Sequence, residues 1–458
     1  MLRIEQKTRE LLETDRRFLW HPFTQMKDFE PPILVAEARD CFIRDIRGRW
    51  YLDGVSSLWV NLFGHRRAEL DEAIRGQLQR VAHTTLLGLA NEPAVELAQR
   101  LSALSRRHLG PQAPTRVFFS DDGSTSVEVA LKMAFQYWQH KGLKEKQTFL
   151  HLENSYHGDT LGAVSVGGIG LFHQLFRPLL INTLQAPSPY CYRCSLGMEP
   201  ESCSLSCLAK LERILKEHHG RIAAFIVEPM VQAAGGMVFF PPGYLKGARE
   251  LCRKYNVLLI ADEVATGFGR TGRMFASEHE AATPDLLCLS KGISGGYLPL
   301  AATLATEELY RAFLGEYEEL KTFFHGHSYT GNQLACAVAL ASLEVFEKDN
   351  ILEALRPKAQ MLKDWLQQMS QHPHVGRAQG LGLMAGLELV RDKATKEPYG
   401  LKEQMGWQVA RAALRKGLFI RPLGNVVVLM PPLNIQEENL HRMLQVLTQC
   451  IREATGAS

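Results

Sequence analysis

Short apolar runs alternate with longer amphipathic segments between residues 115 and 306. Such runs predict buried strands, and the segments between them carry apolar residues at helical spacing. The predicted strands cover residues 116–119, 148–152, 223–227, 257–260, 285–289 and 301–306. Near-continuous apolar strands separated by helix-length segments are typical of a mostly parallel sheet covered on both faces. The pattern therefore predicts an α/β fold with a large central sheet.

The two ends of the chain show a different pattern. A polar helix is predicted up to about residue 17, and short strands are predicted around residue 34 and over residues 41–45 and 50–52. Beyond residue 331 the pattern predicts helix 332–348, strand 382–389, helix 401–416, strand 426–430 and a last helix. We expect both ends to form one smaller α+β domain. The expected division is an N-terminal segment over 1–75, a large domain over 76–344 and a C-terminal small domain over 345–458.

Composition and charge exclude several classes of function. The 458 residues are 46% hydrophobic and carry a formal charge of +3 without a basic block, which argues against nucleic acid or an anionic membrane as a partner. The N-terminus lacks an apolar signal core, and no run reaches the roughly 18 apolar residues of a membrane span. We therefore expect a cytoplasmic protein whose nine cysteines are thiols.

Two strands end at residues with candidate chemistry. Asp262 and Glu263 follow the strand over 257–260, and Lys291 follows the strand over 285–289. Because parallel strands present their carboxyl ends at one edge of the sheet, where α/β proteins bind ligands, Asp262 and Lys291 are expected to share a site.

A glycine and hydroxyl residues stand at the start of the helix predicted after residue 122. Gly123 and Ser124 begin this helix directly after the strand over 116–119. Free backbone N–H groups and the positive end of the helix dipole suit a phosphate at such a position. The alternative is that Ser124 only caps the helix.

The hexapeptide GFGRTG over residues 267–272 fits the dinucleotide-binding pattern G-x-G-x-x-G. It follows a strand, so a nicotinamide-dependent dehydrogenase is an alternative. The residues after it do not form a convincing amphipathic helix, which the motif requires, so an ordinary loop is favoured.

A lysine, a carboxylate and a phosphate cradle at one sheet edge together suit pyridoxal phosphate (PLP). The lysine holds the aldehyde as an imine, the carboxylate keeps the pyridine nitrogen protonated, and the helix start anchors the phosphate.

The chain also resembles the class III, fold-type I PLP aminotransferases over nearly its whole length, most closely the 8-amino-7-oxononanoate aminotransferases of biotin synthesis. The stretches that carry the resemblance are WHPFTQM (20–26), SYHGDTLGAVSVGG (155–168), IADEVATGFGRTG (260–272), LSKGISGGYLPLAATLAT (289–306), HGHSYTGNQLACA (325–337) and RPLGNVVVLMPP (421–432).

The resemblance implies roles for the candidate cofactor residues. Lys291 is implied to be the imine-forming lysine and general base, and Asp262 the partner of the ring nitrogen. Tyr156 is implied to stack on the ring, and Gly123 and Ser124 to bind the phosphate. Glu263 is expected to be structural.

A second group of residues is implied to complete the site. Ser328 matches a phosphate-binding residue that reaches across from the other subunit of a homodimer, with Gly326 on the substrate side. His327 stands where some members have proline, and its role is open.

The substrate residues follow in the same way. Arg421 matches an arginine that binds the substrate carboxylate, a bidentate contact suited to a keto acid. Trp59 matches an aromatic wall, and Arg270 a conformational or donor-binding arginine.

The amino donor stays open between S-adenosylmethionine and lysine. Members that use S-adenosylmethionine often have a tyrosine in place of Phe23, a tryptophan in place of Leu58 and a tyrosine in place of Val428. The replacements resemble the lysine-using branch, although S-adenosylmethionine is slightly favoured as the commoner donor.

Three further hypotheses stay open. Cys191, Cys194, Cys203 and Cys207 form a C-x2-C, C-x3-C pattern that suits either a structural metal or unligated thiols. Another class III enzyme, for ω-amino acids or diamines, would share every cofactor residue. A non-catalytic PLP-binding regulator would need a DNA-binding module, for which the sequence gives no signal.

Overall fold

The computed structural model describes residues 2–28 and 30–456. Its strands are β1 (Val35–Arg39), β2 (Phe42–Asp45), β3 (Trp50–Asp53), β4 (Arg116–Ser120), β5 (Thr148–Leu152), β6 (Thr183–Ala186), β7 (Ile222–Val227), β8 (Val231–Gln232), β9 (Val238–Phe239), β10 (Leu258–Asp262), β11 (Leu286–Leu289), β12 (Ala301–Ala305), β13 (Val375–Leu381), β14 (Met384–Asp392), β15 (Glu397–Pro398), β16 (Leu418–Phe419) and β17 (Val426–Leu429).

The α-helices lie between and after these strands. They are α1 (Leu2–Phe18), α2 (Ala68–Arg80), α3 (Glu92–Leu109), α4 (Gly123–His140), α5 (Leu161–Ser165), α6 (Gly170–His173), α7 (Ser206–His218), α8 (Tyr244–Lys254), α9 (Glu307–Arg311), α10 (Gln333–Lys348), α11 (Ile351–Met369), α12 (Met405–Arg415) and α13 (Glu437–Thr455). No helix among the described residues is long and apolar enough to cross a membrane.

The large sheet contains seven strands in the order β4-β12-β11-β10-β7-β5-β6. Neighbouring strands are parallel except β12, which runs antiparallel to both β11 and β4. The six strands predicted from apolar runs are all present, so the prediction of a mostly parallel α/β sheet is confirmed. The seventh, β6, is a half-exposed edge strand without a continuous apolar run.

Helices cover both faces of this sheet. Ile226 and Ile260 pack with Val127 and Trp138 of α4, whereas their strand neighbours, among them Leu259, join the cluster that α7 and α8 build on the opposite face. Successive side chains of a strand point to opposite faces, which explains why nearly every position in these strands is apolar.

A smaller part of the fold combines both ends of the chain. Strands β1, β2 and β3 form one sheet with β16, in which Leu418 pairs in parallel with Leu52. Strands β13, β14, β15 and β17 form another. On the pairing of β3 with β16 we propose that residues 1–75 and 345–458 make up one small domain.

A buried carboxylate joins the two parts of the molecule. Glu388 on β14 accepts hydrogen bonds from Tyr190, from Arg193 Nε at 2.5 Å and from Arg377 Nε at 3.3 Å. Arg377 in turn donates to the carbonyl oxygens of Gly236 and Met237 in the β8–β9 turn. Two guanidinium groups thus neutralise a carboxylate that burial would otherwise destabilise.

Candidate functional site

The carboxyl ends of five strands surround a cavity of about 420 Å³. The lining groups in the list that follows lie at the end of a strand or at most five residues beyond it, so the parallel order brings distant parts of the sequence to one edge. The lining groups that can ionise or bind a ligand include Asp121, Asp122, Ser124, Tyr156, His157, Glu228, Asp262, Ser290 and Lys291.

Asp262, the last residue of β10, is held by two contacts at the bottom of the cavity. Its Oδ1 accepts from the backbone N–H of Val264 at 3.1 Å, and its Oδ2 lies 2.7 Å from Nδ1 of His157. Because an ionised carboxylate only accepts, this short distance requires the proton of the imidazole to be on Nδ1. His157 is fully buried, so the pair is fixed in one orientation, and its Nε2 has no partner among the described residues.

Lys291 follows β11 and begins a short 3-10 helix, Lys291–Ser294. Its backbone has φ +41, a left-handed conformation that is costly for a residue with a side chain and that is concentrated at functional sites. Burial lowers the pKa of its amine below the ordinary value, while the carboxylates of Asp262 and Glu228 act in the opposite direction. The site therefore favours a lysine that exchanges a proton more readily than a solvated one.

Glu228, directly after β7, is a third ionisable group of the cavity. Its oxygens accept from the backbone N–H groups of Tyr156 at 3.0 Å and Ala233 at 2.9 Å. Burial raises its pKa to about 7, with the nearby charge of Asp262 acting in the same direction and His157 opposing it. Glu228 thus stays largely protonated in mildly acidic solution and links the strand-end loops that carry Tyr156 and Ala233.

The start of α4 forms the polar end of the cavity. Asp122 caps the helix by accepting from the backbone N–H of Thr125 at 2.9 Å, so this turn keeps its helical direction without Ser124 as the cap. Ser124 Oγ instead accepts from the backbone N–H of Asp159 at 3.1 Å. An 18-residue helix points its N-terminus at the cavity, and Gly123 and Ser124 both line it. This arrangement fits a phosphate group.

Gly123 has no room for a side chain. A Cβ placed on it would lie 2.6 Å from Cγ1 of Val264, two residues beyond Asp262. The helix start and the loop after β10 are therefore in close contact, which fixes the distance between the polar end of the cavity and Asp262.

Two aromatic side chains form walls of the cavity. Tyr156 donates its hydroxyl to Asp159 Oδ2 at 2.7 Å, and burial together with this carboxylate raises its pKa. Trp59 is buried, and the centre of its ring lies 5.7 Å from Nζ of Lys291. A flat ligand between such walls would be shielded from water.

Arg270 lies behind the cavity and is not one of its lining residues. Its side chain is fully buried and donates to the carbonyl oxygens of Pro431 at 2.7 Å, Asn61 at 3.0 Å and Trp59 at 3.3 Å. Both terminal nitrogens are thus engaged with the main chain. These contacts place Arg270 beside Trp59 and fit the conformational role, while donor binding by Arg270 stays a prediction.

Four other expected site residues also lie outside the cavity lining. The guanidinium of Arg421 stacks over the ring of Trp407 at 5.7 Å and has no carboxylate partner among the described residues. Gly326 and Ser328 are exposed, and the carbonyl oxygen of Ser328 lies 2.7 Å from Nε2 of His83. His327 Nδ1 lies 2.9 Å from Asp121 Oδ2.

The loop GFGRTG does not have the surroundings of a dinucleotide site. The next element is a five-residue 3-10 helix, Ala276–Glu280, rather than the long helix that the motif needs. Glu263 holds the start of this element by accepting from the backbone N–H groups of Ala276 and Ser277, each at 2.8 Å. Glu263 is thus structural, and GFGRTG is an ordinary loop.

The four clustered cysteines, Cys191, Cys194, Cys203 and Cys207, are not among the residues that line the cavity. Cys203 Sγ accepts from the backbone N–H of Ser206 at 3.3 Å, and burial raises the pKa of Cys207 to about 11. Across residues 2–28 and 30–456, no three His, Cys, Asp or Glu side chains are arranged to hold a metal ion.

Sequence reasoning missed Glu228 and the partnership of His157 with Asp262. The signal for Glu228 was present, since it is a carboxylate at the end of a buried strand, as Asp262 is. The signal for His157 was not, because 105 positions separate the two members of the pair.

Comparison with known proteins shows which family this chain belongs to. The family model described as aminotransferase class-III matches residues 24–451. The adenosylmethionine-8-amino-7-oxononanoate aminotransferase of Geobacter sulfurreducens is 52% identical over 452 residues, which cover 98% of this chain and 99% of the relative.

Two solved structures illustrate the likeness of fold. The adenosylmethionine-8-amino-7-oxononanoate aminotransferase of Methanocaldococcus jannaschii superposes with a TM-score of 0.92 at 43% identity, covering 97% of this chain and 99% of the other. A PLP-bound amine transaminase from an uncultivated Pseudomonas species has a TM-score of 0.89 at 37% identity, covering 95% and 99%.

Replacing Gly123 with Ala should destabilise the protein. The new methyl group would meet Val264, and overpacking of this kind costs about 1–3 kcal/mol, measured as the free energy of unfolding in urea. In a Val264→Ala background the loss should be smaller, since the clashing methyl groups are gone.

Gly76→Ala on α2 is the control, because nothing lies within 4 Å of its Cβ position. The free energy of unfolding of this variant should rise by about 0.5–1 kcal/mol. An equal loss in both backgrounds would contradict the assigned contact.

Replacing Glu228 with Gln should alter the pH dependence of stability. Because the folded pKa of about 7 exceeds the ordinary 4.5, the folded state keeps a proton between these values that the unfolded state has lost. Wild-type stability should therefore fall by up to about 3 kcal/mol as pH rises through this window, and Glu228→Gln should lack that part of the fall. Urea unfolding at several pH values measures the difference.

The matched control is Glu344→Gln at an exposed position of α10, which should follow the wild-type curve. Identical curves for Glu228→Gln and wild type would show that Glu228 does not change its protonation on folding.

Proposed function

The chain belongs to the class III aminotransferases, and on this basis we propose that it aminates 8-amino-7-oxononanoate to 7,8-diaminononanoate in biotin synthesis. Aminotransferases of this class use PLP, and the relatives named for this substrate span almost the whole chain. The observation that carries the proposal is the cavity in which the amine of Lys291, the carboxylate of Asp262 and the start of α4 meet.

The lining residues fit PLP in chemistry. When bound, PLP supplies an aldehyde that exchanges amines and a ring that draws electrons from the bond to be broken. The backbone N–H groups at Gly123 and Ser124 would hold its phosphate, and Asp262 would keep a proton on its ring nitrogen. His157 supports that role because its hydrogen bond fixes the orientation of the Asp262 carboxylate.

Lys291 is proposed to carry the proton that moves during transfer. Burial lowers the pKa of its amine, which favours the neutral form needed to accept a proton from the carbon that bears the amino group and to return it elsewhere. Trp59 and Tyr156 would limit access of water to this amine, which favours proton return to the substrate rather than loss to solvent.

Arg421 is proposed to bind the carboxylate of the keto acid. Its guanidinium has no carboxylate partner among the described residues and is steadied by the face of Trp407, so its donors are available. The long apolar chain of the acid would separate this carboxylate from the reacting carbonyl.

The amino donor is proposed to be S-adenosylmethionine, by analogy with the names of the relatives. Lysine is the second candidate, favoured by Phe23, Leu58 and Val428. Phe23 packs edge-to-face on Phe172 with ring centres 5.3 Å apart, and Val428 is fully buried, so neither offers a polar contact to an adenosyl group.

Separate half-reactions test both parts of the proposal. The purified holoenzyme is first incubated with one donor, and the unbound donor is then removed. 8-Amino-7-oxononanoate is added next, and the diamine product is detected by mass spectrometry. S-adenosylmethionine should charge the enzyme, and product should form only after charging. If neither donor yields product while simple ω-amines do, the chain is instead an ω-amino-acid or diamine aminotransferase.

Lys291→Ala should abolish transamination and change the visible absorbance of the bound cofactor, because the amine that joins it to the protein is lost. Activity is expected to fall by at least about a thousandfold, as for loss of a general base together with covalent attachment. Lys358→Met is the matched control, since burial also lowers the pKa of Lys358 but it lies on α11, outside the cavity lining. Full turnover by Lys291→Ala would contradict the mechanism.

We also propose a cytoplasmic homodimer whose partner subunit contributes the loop over residues 326–328. Large apolar side chains are exposed on the isolated chain, including Trp20 at 88%, Leu87 at 89% and Leu171 at 84%. Exposed apolar surface of this extent supports a covered interface. Gly326 and Ser328 are exposed and do not line the cavity of their own chain, as a contribution to the other site requires.

Mixing two inactive variants tests the shared site. In a hybrid of Lys291→Ala and Ser328→Asp, one of the two sites would combine the intact Lys291 of one subunit with the intact Ser328 of the other. Random reassociation should therefore restore about a quarter of wild-type activity, since half of the dimers are hybrids with one working site. No recovery in mixtures shown to contain hybrids would contradict a site shared through Ser328.

A further inference from the structure

A single left-handed turn, Ser56–Trp59, connects β3 to the cavity. Its four residues have φ values of +49, +50, +71 and +72, and none is glycine. Residues with side chains adopt this conformation at a steric cost, and runs of them are rare. Contacts from outside the turn must therefore hold it.

Asp53, at the end of β3, holds the first half of the turn. Its side chain is completely buried, with Oδ1 accepting from the backbone N–H of Val55 at 3.1 Å. Its Oδ2 accepts from the backbone N–H of Ser57 at 2.8 Å and from the Ser57 hydroxyl at 3.2 Å. A hydrogen bond to a carboxylate is stronger than one between neutral groups. All three of these bonds come from the turn or from Val55, the residue that precedes it.

Two further sets of contacts tie the turn to the segment after β17 and to the loop after β10. The hydroxyl of Ser56 donates to the carbonyl oxygen of Met430 at 2.6 Å, directly after β17. Arg270 donates to the carbonyl oxygens of Trp59 and Asn61 and also to that of Pro431. The end of the turn is thus anchored to the same segment as its start.

The turn determines where the indole of Trp59 lies. The ring is buried and its centre is 5.7 Å from Nζ of Lys291, whereas the adjacent Leu58 is half exposed. An extended or right-handed path through residues 56–59 would direct the side chain of residue 59 elsewhere, because the direction of Cβ follows the backbone.

We infer that Asp53 is a positioning residue: its carboxylate holds the left-handed turn that aims Trp59 at the amine of Lys291 and so sets the substrate wall of the cavity. Asp53 does not line the cavity, and besides the turn its Oδ2 faces Nε2 of His65 at 3.6 Å. Its effect on the cavity is assigned to its contacts with the turn. The inference depends on the proposed transamination for its kinetic consequence, but its structural consequence is independent of substrate.

The experiment labels the holoenzyme with 5-fluorotryptophan and records its fluorine NMR spectrum. Six signals are expected from the six tryptophans, and Trp59→Phe assigns one of them to Trp59. Asp53→Asn keeps the shape of the side chain but replaces one accepting oxygen with an NH2 group. The Trp59 signal should shift or broaden, with the other five unchanged. The KM for the keto acid should rise about tenfold, as expected for the loss of one charge-assisted hydrogen bond, with a smaller change in kcat.

Asp45→Asn is the matched control. Asp45 is a buried carboxylate of β2 in the same sheet, 4% exposed, and accepts from the backbone N–H of Arg49 and the hydroxyl of Tyr51, each at 2.9 Å. It has no contact with the turn. This variant should lose thermal stability and leave both the Trp59 signal and KM unchanged.

Two milder changes keep the test decisive if Asp53→Asn folds poorly. Ser57→Ala removes the hydroxyl bond to Asp53, together with the hydrogen bond that this hydroxyl accepts from Asn61 Nδ2 at 3.1 Å, but keeps the backbone bond from Ser57 to Asp53. It should move the Trp59 signal in the same direction by less. Leu58→Gly, placed where φ is +71, should bring the signal of Asp53→Asn back toward wild type, because glycine tolerates a left-handed backbone.

The inference is overturned if the Trp59 signal stays in place in both Asp53→Asn and Ser57→Ala, or if Asp45→Asn moves it equally. A shifted Trp59 signal in a protein that does not aminate the keto acid would leave Asp53 as a positioning residue and count against the proposed substrate alone.

Discussion

The hydrogen bond between His157 and Asp262 is the interaction on which the site depends. A carboxylate at the bottom of a cavity is costly unless it is paired, and the buried imidazole supplies the pair at 2.7 Å. The two residues come from different strand ends, so the bond forms only when the parallel sheet is correctly assembled. Formation of the sheet and orientation of the carboxylate are therefore coupled.

Much of the fold could be predicted because burial on both faces leaves a strong signal in the sequence. The run Ile222–Val227 is apolar at every position and buried throughout, and the other central strands are similar. The missed strands lack this signal. Thr183–Ala186 lies at an edge, and Val375–Leu381 contains Arg377, whose charge is neutralised by Glu388 across the pairing strand. The local periodicity of a sequence does not reveal a pairing between residues that are far apart along the chain.

The same distinction explains which parts of the site could be predicted. The positions of Asp262 and Lys291 in the cavity could be predicted from the sequence because each residue comes shortly after an apolar run. Arg270 was harder, since an arginine in a glycine-rich loop looks like a ligand-binding group. Only the folded chain shows that its two terminal nitrogens donate to main-chain carbonyl oxygens. Residues 326–328 illustrate a third limit, because they do not line the cavity of their own chain, and Gly326 and Ser328 are exposed.

The left-handed turn at Ser56–Trp59 also bears on how such enzymes diverge. It separates two adjacent side chains, with Trp59 facing the reactive amine and Leu58 half exposed. A substitution at position 58 can therefore leave the wall beside Lys291 in place, whereas a substitution at position 59 alters that wall. A neighbouring pair of this kind allows the outer surface and the inner wall to be altered by separate substitutions, so the two positions can be redesigned independently.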